Sequence, residues 1–544
     1  MINASLRYSI SLAAIIGSIV SGLCLAQDDT PEPAKPQANL LAPKITISKE
    51  TTWVTGPLRA DGTVRYLEAI NRMLCEDVTP ENNACVMLYQ AMGPSPEGRR
   101  QPDVFFRRMG IEPLPDAGPY FEYLGKWARE QADAAIDIVA LSDMQSKSGE
   151  SPWTEGDYPL IAEWLKRNEG PLRTIELATQ RPKYFSPLVG TDAEPDGAAI
   201  LVLLPGVQKS REFARALASR AMWKLGEGNQ THAWRDLMTM HRLGRLVGQG
   251  PTLVEYLVGA AIESMAIEGE LQFLSETQPS ARMLAVYRTQ LDRLALRASV
   301  ADKLDNCERV MVLDCVERIA SGKMRFQDIA DGGGDTSVLE KLAEGAISQA
   351  VDWDLTLKSA NKWYDRMATA LRNPVYRDRR AEVKQINDDV KKLAERARQP
   401  TALLSLFGGK AKISQALSDV MISHMLPSLQ AVCLAEGRVI QRMRNLEVAF
   451  ALKAYQTDFG SYPDSLEVLA PKYIAEIPID LFSGQALKYA KISDGYLLYS
   501  VGENEQDDHG RSFDDNPQGD DLVVRMPVVR MPVVRMPVRP ANVK

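Results

Sequence analysis

Residues 218–266 read ASRAMWKLGEGNQTHAWRDLMTMHRLGRLVGQGPTLVEYLVGAAIESMA, and this stretch decides the fold. Its apolar residues recur at helical spacing, interrupted twice by glycine-rich turns. The pattern predicts one helix to about Leu225, a turn at GEGN, and a second helix to about Val247. A third helix follows GQGP, with Pro251 expected in its first turn, where the missing N–H costs nothing.

Working outward, the same spacing returns in GTVRYLEAINRML (62–74) and NNACVMLYQAM (82–92), with GPSPEG (93–98) as a separating turn. It reappears in VDWDLTLKSANKWYDRMATAL (351–371). RDRRAEVKQINDDVKKLAERARQ (377–399) alternates acidic and basic residues, the mark of a solvated helix and not of a nucleic-acid patch. A long helix is expected from about Ser414 to Thr457, with a bend near Pro427. After it, proline and glycine turns separate short β-rich runs. The chain is therefore expected to be mainly α, with α-hairpins followed by a small α/β module on a long helix.

The 544 residues suffice for several domains, and 45% hydrophobic with 25% charged residues is ordinary for a globular chain. A net charge of −7 and a pI near 5.5 argue against nucleic acid as a main partner. The first residues, MINASLRYSISLAAIIGSIVSGLCLAQ, carry Arg7, an apolar run from about Ile10 to Leu25, and small residues at Cys24 and Ala26. That layout predicts a signal cleaved after Ala26 and a periplasmic or secreted protein. An uncleaved N-terminal anchor is the alternative, and no later segment is apolar enough to span a bilayer.

The expected divisions are a signal at 1–26, a proline-rich flexible linker at 27–56, and a helical domain at 57–330. A flexible break (331–345), starting around ADGGGDTS, and a second helical segment (346–413) follow. The long helix with its module is placed at 414–527 and a disordered repeat tail at 528–544. In that tail VVRMP occurs three times. Proline at every fifth position forbids a helix or a central strand. The first copy is expected to pair as the last strand of the module. The others read either as an adhesive tail for acidic surfaces or as a repeat expansion without a role.

Cys75 and Cys85 bracket CEDVTPENNAC, a polar run with a turn at Pro80. In an oxidising compartment a disulfide between them is expected, the alternative being two buried thiols. Cys307 and Cys315 are eight apart, about 12 Å along one helix, too far to bridge. There is no CxxC pair, no HExxH, no P-loop, no dinucleotide fingerprint and no G-x-S-x-G elbow. His241 is expected to pack within the helical core. Glu255 and Glu263 lie on roughly one helical face, either as an acid–base pair or as surface glutamates.

The pair WKLGEGNQTHAW (223–234) resembles one helix–turn–helix unit of the tetratricopeptide kind, with Ala233 at the packing position and no second copy in the chain. The module resembles the globular domain of the major pseudopilin of type II secretion systems. That resemblance rests on ALKAYQTDFGSYPDSLEVLAP (451–471), IPIDLFSGQALKY (477–489), YLLYSVG (496–502) and the acidic segment that follows. It covers less than a fifth of the chain. The whole layout is also similar to large uncharacterised families of exported bacterial proteins.

The resemblance implies a calcium site in the acidic loop, formed by carboxylates and backbone carbonyls. Ser500 and Gly502 match the family's turn, and Glu503 and Asn504 replace its Asp-Gly pair. Glu503, Asp507, Asp508, Asp520 and Asp521 are the implied ligands, oxygen donors of the kind calcium requires; His509 is a ligand type it avoids. The alternative is a solvated acidic lid. Pseudopilins also carry a hydrophobic assembly stem, whereas the helix here, CLAEGRVIQRMRNLEVAFALKAYQ (433–456), holds too many charges for a bilayer. The chain is thus expected to be a non-enzymatic exported protein with protein partners at the cell envelope or secretion apparatus. The alternative is an envelope hydrolase with carboxylates in a helical cleft.

Overall fold

The computed structural model describes residues 45–131, 137–190, 197–202, 204–324, 351–398, 409–425 and 429–528. The expected signal, the break at 331–345 and the second and third VVRMP copies beyond Val528 lie outside the described residues.

Seven short helices come first: α1 (Tyr66–Leu74), α2 (Ala84–Met92), α3 (Asp103–Arg108), α4 (Leu124–Gln131), α5 (Ile138–Ser148), α6 (Pro159–Arg167) and α7 (Glu169–Ala178). Of these, α2, α5, α6 and α7 pack on α8 (Pro205–Gly226), which leads into α9 (Gln230–Val247) and α10 (Leu253–Glu276), the three helices of the opening stretch. Between α8 and α9 the Asn229 side chain accepts from the His232 N–H at 3.1 Å, and Gly228 takes a positive φ of 77°, which glycine adopts without penalty. Ala233 is fully buried where α8 and α9 meet.

The third helix begins later than expected. Thr252 is its N-cap in a capping box with Glu255, so Pro251 stands just before the helix and not in its first turn. Thr252 satisfies an orphan N–H that a proline in that position would merely have lacked.

The chain continues through α11 (Ala281–Asp292), α12 (Val300–Lys303), a π-helical turn (Leu304–Glu308), α13 (Arg309–Ala320), α14 (Trp353–Leu371), α15 (Tyr376–Arg398) and α16 (Lys410–Met425). Within the long helix expected from Ser414, the described residues form α16, to Met425, and α17 (Leu429–Phe459). Pro427, between them, lies outside the described residues. No helix among the described residues is long and apolar enough to cross a membrane.

The structure also modifies two of the expected boundaries. Residues 45–56, placed in the flexible linker, are packed: Thr51 and Thr52 are fully buried, and Asn361 donates to the carbonyls of Glu50 and Thr51 at 3.0 and 2.7 Å. The module, placed apart at 414–527, shares its core with the helices. One apolar cluster runs from Leu88 through Trp234 and Phe450 to Met526. A second joins Val64, Leu313, Leu357 and Phe482. Helix α17 serves both, with Leu429, Val432 and Cys433 in the second and Val439 to Leu452 in the first.

Three antiparallel strands close the fold: β1 (Lys488–Ile492), β2 (Gly495–Ser500) and β3 (Leu522–Met526), in the order β1-β2-β3. Leu498 pairs with Tyr489 on one side and Val524 on the other. β3 is the first VVRMP copy, as expected. Its Val524 and Met526 turn into the core, while Arg525 reaches Asp515 at 2.6 Å, the alternation of a half-buried strand.

The expected Cys75–Cys85 bridge is not formed. Both are free thiols, Cys75 exposed and Cys85 buried. Cys75 caps the end of α1, with Sγ 3.4 Å from the Arg72 carbonyl, whereas Cys85 is folded into an aromatic pocket with Tyr89, Phe105 and Phe106. Helix geometry sends the two side chains to different environments. A thiol reagent on the native protein is expected to modify Cys75 at once, and Cys85, Cys307, Cys315 and Cys433, all buried, only after denaturation. Mass mapping that finds Cys75 protected would contradict this arrangement.

Candidate metal site in the acidic loop

The loop from Val501 to Asp521 joins β2 to β3 and is held at both ends. At the β2 end, Asp480 (1% exposed) accepts from the Ser500 hydroxyl, the Val501 N–H and the Phe482 N–H, each at 2.9 Å. This pin ties the turn IPID to the start of the loop. Gly502 has φ 71°, and a Cβ there would run into the carbonyl oxygen of Asp520, so the glycine is required by a close approach of the two loop ends.

The five implied ligands divide. Asp508, Asp520 and Asp521 converge, each offering an oxygen within 4.8 Å of the others. Glu503 turns away to an ion pair with Arg438 on α17. Asp507 also turns away: its carboxylate accepts from the Tyr499 hydroxyl at 3.0 Å and lies 3.4 Å from Lys488. His509 is 80% exposed and belongs to no ligand set. Three of the five implied residues therefore form a cluster. Opposite charges nearby draw the other two off it.

Backbone groups shape the three that remain. The Asn504 N–H donates to Asp520 at 2.8 Å, the Asp520 N–H to Asp508 at 3.1 Å, and the Gly510 N–H to Asp521 at 2.8 Å. One oxygen of each of Asp520 and Asp521 accepts no hydrogen bond. For Asp521, only 2% exposed, that is a buried orphan acceptor of the kind folded proteins rarely keep. Burial, then the neighbouring Asp508 and Asp507, push its carboxyl up to about 6. A hard cation bound by carboxylate oxygens fits this donor set, with Asp508, Asp520 and Asp521 as the protein's anionic ligands.

Two arginines clamp the start of the loop onto the helices. Arg380 of α15 donates to the Glu503 carbonyl and pairs with Glu505 at 2.9 Å, and Arg438 holds the Glu503 side chain. Asp480 and these arginines are the residues that sequence reasoning passed over. The aspartate in IPID, immediately before a turn, was the available signal.

Glu255 and Glu263 on α10 are not surface glutamates: both are buried, at 0% and 3% exposure, and each is already engaged. Glu255 is spent in its capping box, buried, with its carboxyl raised by burial. Glu263 is held by Arg245 at 2.6 Å and Arg297 at 2.9 Å. His241 packs in the core as expected, its Nε2 2.9 Å from Glu270 with both side chains fully buried. No family model matches the chain, and no curated protein or solved structure matches it.

Proposed function

We propose that the chain is a non-enzymatic exported protein of the cell envelope, in which a calcium-stabilised pseudopilin-like module is built onto a helical scaffold for binding other proteins. The observation that carries this reading is the pair of uncommitted oxygens on Asp520 and Asp521 beside Asp508. Carboxylates crowded together, here with Asp521 buried and Asp508 and Asp520 partly exposed, repel unless a cation lies between them. The loop they belong to is clamped to α15 and α17, so a cation would brace the module against the scaffold. The outward side chains of β1 are largely exposed, and an exposed edge of this kind is a surface on which another chain can add.

The test is a thermal melt of the whole chain, because the module shares its core with the helices. Calcium at a hundredfold excess over its Kd is expected to stabilise by about 2.7 kcal/mol. Magnesium, which demands a tighter octahedron, is expected to do less. Asp508→Asn with Asp521→Asn is expected to remove the difference. A melt of the unmutated chain that ignores calcium would reduce the loop to a polar lid.

A further inference from the structure

On the face of α17 away from the sheet lies a cleft of about 690 Å³, within the range of ligand sites. Its walls come from the end of α11 and the loop after it, the end of α14, and α17. Leu294, Leu296, Ile440 and Met443 supply apolar surface, and Leu296 stands 92% exposed at the rim.

Most of the charge on these walls is already matched. Arg245 and Arg297 share Glu263 at 2.6 and 2.9 Å. Arg372 holds Asp302 at 3.2 Å and Asp305 at 2.5 Å. Asp292 and Glu447 are different, since neither has a hydrogen-bond or ion-pair partner among the described residues. Glu447 is exposed to the cleft, with Asp292 and the charges of Arg288, Arg444 and Arg297 near it. Deeper in the wall, Glu436 (9% exposed) lies 3.3 Å from Arg379. Yet its Oε2 accepts no hydrogen bond, and Arg379 Nε donates none. The Glu436 and Arg379 atoms are buried, so what the cleft presents is two exposed carboxylates, Asp292 and Glu447, beside an aliphatic wall. That combination matches a peptide with a basic side chain between aliphatic ones.

The chain carries that chemistry itself. VVRMP repeats place Arg530, Arg535 and Arg539 among valine, methionine and proline. Val528, the last described residue, donates to Ser275 of α10 at 3.0 Å. Ser275 lies twelve residues along α10 from Glu263, roughly 18 Å at helical rise. The sixteen residues that follow Val528 reach roughly 50 Å when extended. We propose that the cleft between α11, α14 and α17 is a peptide-binding site, and that its occupant is the VVRMP repeat tail, with an arginine seated on Asp292 and Glu447. This goes beyond the scaffold reading and does not depend on calcium.

A fluorescently labelled VVRMPVVRMP peptide, titrated into the chain and followed by anisotropy, tests it. A chain ending at Val528 is expected to bind the peptide at least fivefold more tightly than the full chain, whose own tail competes. Asp292→Asn with Glu447→Gln in the shortened chain is expected to weaken binding at least tenfold while leaving the melting midpoint in place, since the pair has no partners to lose. A VVQMPVVQMP peptide is expected to bind equally poorly to the unmutated cleft. The proposal is overturned if the peptide fails to saturate the shortened chain, or if shortening leaves its affinity unchanged. Equal binding by the double variant or by the glutamine peptide overturns it as well. None of these readouts moves with calcium, so failure here is distinguishable from failure of the metal site.

Discussion

Asp236→Ala is expected to cost about 3–5 kcal/mol, the scale of breaking one partner out of a buried ion pair, and so to leave the chain at the edge of folding at 37 °C. Arg220 on α8 meets Asp236 on α9 in a two-pronged contact, Nε at 2.9 Å and Nη2 at 2.6 Å. The side chains are 4% and 1% exposed. The alanine variant strands the guanidinium, whose remaining neighbour Glu169 lies 3.2 Å away and is largely in solvent. Against a total stability of about 5–15 kcal/mol that loss is decisive. The double variant Arg220→Met with Asp236→Leu removes both charges and is expected to recover most of it. Urea midpoints of the three proteins measure this. If the single and double variants are equally unstable, packing and not charge holds α8 to α9.

Gly259→Leu is expected to be comparably damaging through shape alone. Where α9 crosses α10, a Cβ on Gly259 would strike the Gly244 carbonyl oxygen and come within 2.8 Å of the Gly248 N–H nitrogen. Reciprocally, a Cβ on Gly244 would lie 2.7 Å from the Gly259 oxygen. The obstacles are backbone on a facing helix and not the yielding ends of side chains. Relief would require moving the helices apart across the main core, a cost at or above the roughly 3 kcal/mol upper end of ordinary overpacking. Gly259→Ala is expected to fall between. Gly170→Ala in α7 meets nothing within 4 Å and is expected to be neutral or to gain up to about 1 kcal/mol from helix propensity. Melting curves for the three variants give the order; a tolerated leucine at 259 would show that the crossing can open.

The three central helices were legible because their turns are glycine-rich and their apolar residues keep one period across each segment. Long-range events were not legible in the same way. That α17 would seat its first turns in one core and its middle in another depends on partners more than a hundred residues away, such as Leu313 and Trp234. Thr252 overrode the proline beside it as helix start, a local competition between two capping options that composition alone does not rank. In the acidic loop the oxygen-rich composition was visible. Which carboxylates converge was set by Lys488, Tyr499 and Arg438, which claim Asp507 and Glu503 and lie elsewhere in the chain. Cys75 and Cys85 looked bridgeable by spacing, but direction of side chains decides bridging, and spacing does not report direction.

Helix α17 closes the main core from a position late in the chain: Arg442 meets Glu268 at 2.8 Å across 174 residues, and Phe450 sits on Trp234. Synthesis and folding are therefore out of step. While the ribosome still holds the last hundred or so residues, the grooves between α9, α10 and α11 face water with their apolar sides open. Contacts of such long sequence separation are slow to form, and the open intermediate is prone to aggregate. The order of the elements thus assigns the nascent chain a vulnerable interval, during which a holding chaperone has a reason to bind it.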